Sequence, residues 1–393
     1  MIMKNICAVL IIATTLAANG QAQTSLKDAY KNDFLIGAAL NPSQFCNSNV
    51  VEAALVQRQF NSISPENILK WEKVHPASGQ FDFTLPDCYV AFGETNHMFI
   101  IGHTLVWHSQ TPAWVFQDEK GKSVTRDVLL ARMREHIFTV VGRYRGRIKG
   151  WDVVNEAVAE NGSLRKTPWM NAIGEDYLIK AYQFAHEADP QAQLYYNDYG
   201  LENAKKRVGA LKLVKKLQGA GVKIAGVGLQ GHYQLSATSP SRREVDETIS
   251  DFARLGVKVM FTELDVDVLP SAWAALSADV SLREKADPKL DPYAHGLPAE
   301  VQQQLAARYA ELFAVFLKHR QDIERVTFWG VTDGDSWLND WPIVGRTSYP
   351  LLFDRKMEPK PAFSAVVAMA KNGVSTSFNP TAFPQNQATA LTK

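Results

Sequence analysis

A closed ring of eight strand-helix units is what the apolar pattern of these 393 residues calls for. Three features lead there. Short apolar runs alternate with longer amphipathic stretches from Phe34 to about Ala370, the rhythm of a parallel sheet crossed by helices. The runs number eight, the count that closes an α/β chain into a (β/α)8 TIM barrel. Polar and aromatic residues follow the runs at one end, where such barrels build their sites: Glu66 and Asn67, His103 and Trp107, Asn155 and Glu156, Asn197 and Asp198, Gln230 and His232, Glu263 and Asp265, Trp329 and Asp333. An open doubly wound sheet would gather them at one switch point, whereas at least six units contribute here.

Taken in order, strands are expected at Phe34–Leu40, Phe60–Ser64, Met98–Leu105, Ile148–Val154, Gln193–Asn197, Ile224–Gln230, Lys258–Thr262 and Arg325–Val331. Helical periodicity falls between them at Val50–Gln59, Val124–Arg143, Tyr177–Glu187, Lys205–Gln218, Arg242–Leu255 and Val301–His319. The stretch Pro270–Pro298 interrupts the rhythm and is expected to cover one flank of the cleft. Lys4 followed by an apolar run from Ile6 to Ala18 reads as an export signal over residues 1–22, too short to span a bilayer. The barrel then occupies residues 23–371 as a single domain, and residues 372–393 form a polar, flexible tail. No repeat or appended binding module is visible. The mature chain is expected to be secreted or periplasmic, with no membrane insertion, and to work as a monomer.

A composition of 46% hydrophobic and 21% charged residues supports a large core. The formal net charge of +1 offers no field for nucleic acid and suits a neutral polymer. Cys7 leaves with the signal, and Cys46 and Cys88 either pair in an oxidising compartment or remain two thiols. Gly226, Gly228 and Gly231 spell a dinucleotide fingerprint, but they lie late in the chain and inside a strand that opens no helix, so close packing explains them better. The histidines form no metal motif. No cofactor and no metal are expected.

Glu156 and Glu263 each close a buried apolar run, and two carboxylates from distant strand ends are what a retaining glycosidase uses, one as proton donor and one as nucleophile. Strand alternation places Asn155 and Glu156 on opposite faces, so a bulge or the end of the strand is expected there. The same alternation puts Glu263 and Asp265 on one face, with His232 placed to donate to Glu263 while Asp265 orients it. Glu156 should hold its proton, because a second carboxylate nearby disfavours a second charge. Direct attack calls for carboxyls about 5 to 5.5 Å apart. Trp71, Trp107, Trp329 and Trp337 suit the apolar faces of sugar rings.

Together, Ser64-Pro-Glu-Asn-Ile-Leu-Lys-Trp71, Gly102-His-Thr-Leu-Val-Trp-His108, Trp151-Asp-Val-Val-Asn-Glu156, Gly228-Leu-Gln-Gly-His232 and Thr262-Glu-Leu-Asp265 closely resemble glycoside hydrolase family 10, the retaining endo-β-1,4-xylanases. The resemblance runs from Leu35 to about Phe363. It implies a catalytic barrel that cuts internal xylan bonds, with Glu156 as acid/base and Glu263 as nucleophile. It also implies that Asn155, His103, Trp107, Gln230, His232 and Trp329 surround the sugar at the point of cleavage, while Glu66, Asn67, Lys70 and Trp337 grip the next sugar toward the non-reducing end. Xylan and xylooligosaccharides are the implied partners. The Pro270–Pro298 insertion is longer than the family leads one to expect. A β-glucan or mannan hydrolase on the same barrel, or a carbohydrate-binding protein that has lost catalysis, are the competing readings.

Overall fold

The computed structural model describes residues 24–46, 48–236, 239–271 and 281–372. Its strands are β1 (Leu35–Leu40), β2 (Ser62–Pro65), β3 (Phe99–Val106), β4 (Gly150–Asn155), β5 (Gln193–Asp198), β6 (Gly226–Leu229), β7 (His232–Gln234), β8 (Lys258–Asp267) and β9 (Ile323–Phe328). All pairings are parallel, in the order β6-β5-β4-β3-β2-β1-β9-β8, and β8 returns to β6 through Gly226↔Lys258 and its neighbours. The sheet is therefore a closed eight-strand barrel. The short β7 stands outside this ring and, among the described residues, pairs with the end of β8 alone, His232 opposite Asp265.

Long helices cross between the strands: α1 (Val50–Gln59), α2 (Thr84–Thr95), α3 (Arg126–Arg143), α4 (Asp176–Ala188), α5 (Ala204–Gly219), α6 (Arg242–Ala253), α7 (Ala299–Lys318) and α8 (Pro361–Asn372). Asn49, Thr125, Asn203 and Ser241 cap the N-termini of α1, α3, α5 and α6 with side-chain oxygens. Apolar periodicity picks out six of the eight. In α2, Pro86 in the first turn and Gly93 near the end dilute the pattern, and α8 runs into the polar tail, closing on Asn372 itself.

Three strands depart from expectation. The run Arg325–Val331 is met by β9 at Ile323–Phe328, so Trp329 and Val331 lie past the strand's end. The run Ile224–Gln230 yields β6 and then breaks, because Gly231 at φ 80° turns the chain before β7 begins. The run expected to stop at Thr262 continues to Asp267, since β7 supplies a partner for its outer half. The latter two changes extend the sheet at the mouth where Glu263, Asp265 and His232 sit.

For the described parts of the insertion, Arg346 is one of several ties to the rest, beside Tyr349, whose hydroxyl donates to the Tyr293 carbonyl at 2.7 Å. Arg346 donates to the carbonyls of Pro270 and Leu290 at 3.0 Å each and lies 3.7 Å from the buried Asp267. Burial raises the Asp267 carboxyl to about 6 despite Arg346 beside it. The insertion thus packs on the loop after β9, which carries Trp337; residues 272–280 lie outside the described residues. So do residues 1–22 of the expected signal and the tail beyond Asn372. Cys46 and Cys88 are free thiols, and burial together with a hydrogen bond to Cys88 raises the Cys46 thiol.

Candidate active site

Strand β4 ends at Asn155, and Glu156 turns away with φ 57°. A left-handed glutamate costs about 1–2 kcal/mol, and it resolves the conflict set by alternation, since both residues now face the mouth. Both Glu156 oxygens receive hydrogen bonds: Trp107 Nε1 donates to Oε2 at 2.9 Å and Gln230 Nε2 to Oε1 at 3.0 Å. Trp107 is itself fixed, its carbonyl accepting from Trp169 Nε1 at 2.9 Å. Asn155 Oδ1 accepts from Asn197 Nδ2 at 3.0 Å.

Across the barrel, Glu263 on β8 accepts from Asn197 Nδ2 at 2.7 Å on Oε1 and faces His232 Nε2 at 3.2 Å on Oε2. His232 Nδ1 lies 3.0 Å from Asp265 Oδ1, and Trp337 Nε1 donates to Asp265 Oδ2 at 2.8 Å. A chain of contacts therefore runs from Trp337 through Asp265 and His232 to Glu263. Burial opposes charge on Glu263, but the His232 hydrogen bond, the nearby His103 and Asn197 outweigh it and hold the carboxyl below its ordinary value. Burial likewise opposes charge on His232, and Asp265 with Glu263 reverse this, pushing the imidazole up to about 10. The geometry thus favours a carboxylate against an imidazolium.

Asn197 holds the two halves together, and Gly228 makes room for it. A Cβ at Gly228 would sit 2.3 Å from Asn197 Oδ1, while Thr262 Oγ1 donates to that same oxygen at 2.6 Å. Of the three glycines with the dinucleotide spacing, Gly226 and Gly228 are close-packing positions and Gly231 is a turn position at φ 80°.

On the side built by β2, Glu66, Asn67 and Lys70 form a second group. Lys70 Nζ donates to Asn67 Oδ1 at 2.9 Å and to Gln110 Oε1 at 2.8 Å, and Asn67 Nδ2 donates to Glu66 Oε1 at 3.2 Å. Burial holds the Lys70 ammonium below the usual lysine range, while Glu263, Glu66 and Glu156 pull it back up. One cation thus feels both proposed reacting carboxylates. Burial raises Glu66, and Lys70 offsets part of that. Near β9, Trp329 meets His103 edge-on at 5.6 Å, and His103 Nδ1 is 2.9 Å from Asp152 Oδ2. Trp337 stacks on Trp341 at 4.8 Å, which fixes its indole plane.

Trp71 offers no face to a sugar: it is buried and stacked at 3.7 Å on His136, a residue of α3. The other residues singled out as site candidates lie at this one end of the barrel. Three others belong with them. Asp152 stands at a strand position whose polarity was visible; Gln110 and Arg165 sit in loops with no local signal. Arg165 Nε donates to the carbonyl of Glu156 at 3.1 Å.

The His232 contacts fix a pH dependence of stability. Its folded value near 10 exceeds the ordinary 6.5, so its contribution is fully present below pH 6.5 and is lost as pH rises toward 10. The thermal midpoint should fall across that window, and the gap between the native protein and His232→Gln should narrow as pH rises. A constant gap from pH 6 to 10 in calorimetry would show that the imidazolium contributes nothing.

Residues 25–369 match the family described as Glycosyl hydrolase family 10. Endo-1,4-beta-xylanase A of Xylanibacter ruminicola is 43% identical over 354 residues, covering 90% of this chain and 95% of that protein. An endo-1,4-beta-xylanase of Geobacillus stearothermophilus is 41% identical over 348 residues, covering 87% and 98%. Among solved structures, a GH10 endoxylanase retrieved from a sugarcane soil metagenome aligns with a TM-score of 0.83 at 45% identity, covering 88% of this chain and 100% of that one. With a closed barrel, a cluster of carboxylates at its carboxy-terminal mouth, and a family match over most of its length, the chain belongs to glycosyl hydrolase family 10.

Proposed function

We propose that the protein is an endo-1,4-β-xylanase that cleaves internal xylosidic bonds with retention of configuration. The observation that carries this reading is the unequal setting of two glutamates at one mouth. Glu263 is kept anionic by His232 and Asn197, while Glu156 is presented by a turned strand end between Trp107 and Gln230.

In the first step Glu263 attacks the anomeric carbon and the bond to the glycosidic oxygen breaks. Glu156 delivers its proton to that oxygen, leaving a covalent glycosyl-enzyme and a Glu156 carboxylate. In the second, Glu156 takes a proton from water, the oxygen of that water attacks the same carbon, and Glu263 departs as a carboxylate. Two inversions give retention, which requires the carboxyls about 5 to 5.5 Å apart.

Xylan rather than glucan is supported by the relatives' activities and by the crowding around Trp337, which is held by Asp265 and stacked on Trp341. Xylose lacks the exocyclic hydroxymethyl group that would meet such a wall. The test is release of reducing ends from linear xylan but not from carboxymethyl cellulose, with NMR of the first-formed anomer. Equal rates on both polymers would overturn the substrate assignment, and a first-formed α-anomer would overturn retention. The apolar run Ile6–Ala18 after Lys4 further supports export, which sequencing the N-terminus of the mature protein would check.

A further inference from the structure

Residues 156–158 have left the sheet, so their backbone hydrogen bonds must be found elsewhere. Glu156 N donates to the Asn197 carbonyl at 2.9 Å, and the N–H groups of Ala157 and Val158 donate to the Tyr196 hydroxyl at 3.1 and 3.2 Å. All three carbonyls go to one residue. Arg165 Nε donates to Glu156 O at 3.1 Å, its backbone N to Ala157 O at 2.7 Å, and its Nη2 to Val158 O at 3.1 Å. The guanidinium is held in turn by the Tyr199 hydroxyl at 2.9 Å and Glu160 Oε1 at 3.2 Å, and its side chain is only 15% exposed.

We propose that Arg165 is the positioning residue of the acid/base: by binding the carbonyl of the left-handed Glu156 and that of Val158 two residues on, it aims the Glu156 carboxyl at the glycosidic oxygen. This rests on Glu156 as acid/base. A left-handed glutamate is intrinsically disfavoured, so the surroundings must hold it there. Arg165 has the reach to do so, because its planar fork spans two carbonyls at fixed separation. A lysine ammonium can take one of them and leaves the turn half-held. Arg165 touches no reacting atom; its influence passes through the direction of the Glu156 side chain. Proton transfer is the step that suffers when a general acid is displaced by a fraction of an ångström.

The experiment compares Arg165→Met and Arg165→Lys with the native protein and Glu156→Ala on two substrates. One is linear xylan, whose leaving oxygen needs a proton; the other is 2,4-dinitrophenyl xylobioside, whose phenolate leaves without one. For Arg165→Met, kcat/KM on xylan should fall about 10- to 100-fold, while kcat/KM on the activated substrate stays within about threefold. Arg165→Lys should fall between. The ratio of the two values, taken on one sample, does not depend on how much of the protein is folded. Loss by the same factor on both substrates, or no loss on xylan, overturns the positioning role. If Glu156→Ala shows the selective loss and Arg165→Met does not, only this inference fails. If neither shows it, the acid/base assignment fails as well.

Discussion

Replacing Glu263 by alanine is expected to reduce turnover at least about 10⁴-fold on xylan and on dinitrophenyl xylobioside alike. The carboxylate forms the bond to the anomeric carbon, and no leaving group, however reactive, substitutes for it. The variant should fold, because what is lost is one buried anion whose imidazolium partner keeps Asp265 at 3.0 Å and whose Asn197 partner keeps Thr262. Circular dichroism and the thermal midpoint establish that. The vacated volume permits a sharper check, since azide added to Glu263→Ala can attack the activated substrate directly from the face the carboxylate occupied. One displacement inverts, so the product should be the α-glycosyl azide. Residual turnover within about tenfold of native, or a β-azide from this variant, would remove Glu263 from the nucleophile role.

The contacts behind that expectation were unevenly visible in the sequence. Period-two alternation placed Glu263 and Asp265 on one face and left His232 to meet both, and the distances of 3.2 and 3.0 Å agree with that geometry. The same rule forced a choice between Asn155 and Glu156, and the chain answers with φ 57° at Glu156. Val50–Gln59 is helical over the residues its periodicity marked, because a cap at Asn49 and an apolar stripe are local signals. What escaped is carried by tertiary contacts. Gln110 accepts from Lys70, 40 positions away, and nothing in the tripeptide around it announces this. The break at Gly231 depends on β8 having an outer half to receive β7. Asn197 is intermediate: its position after an apolar run was plain, but its role needs Gly228 opposite, and no spacing links the two.

Glu156→Ala should separate the two substrates that Glu263→Ala treats alike. A positioned general acid contributes about 10² to 10⁴-fold, or roughly 3 to 5 kcal/mol of barrier, so kcat/KM on xylan should fall by that factor. On dinitrophenyl xylobioside the first step needs no proton, and kcat/KM should stay within about threefold of native. The second step still needs a base to activate water, so kcat on this substrate should fall and the glycosyl-enzyme should accumulate. That intermediate is detectable by mass spectrometry of the quenched protein. Azide carries its own charge and needs no base, so it should restore kcat and yield the β-glycosyl azide, because the covalent intermediate on Glu263 has already inverted once. The two alanine variants therefore give azides of opposite configuration from one substrate. A pair of glutamates at one barrel mouth produces that contrast only if one bonds to carbon and the other moves the proton; the same configuration from both variants, or equal losses on both substrates for Glu156→Ala, would contradict the division of labour.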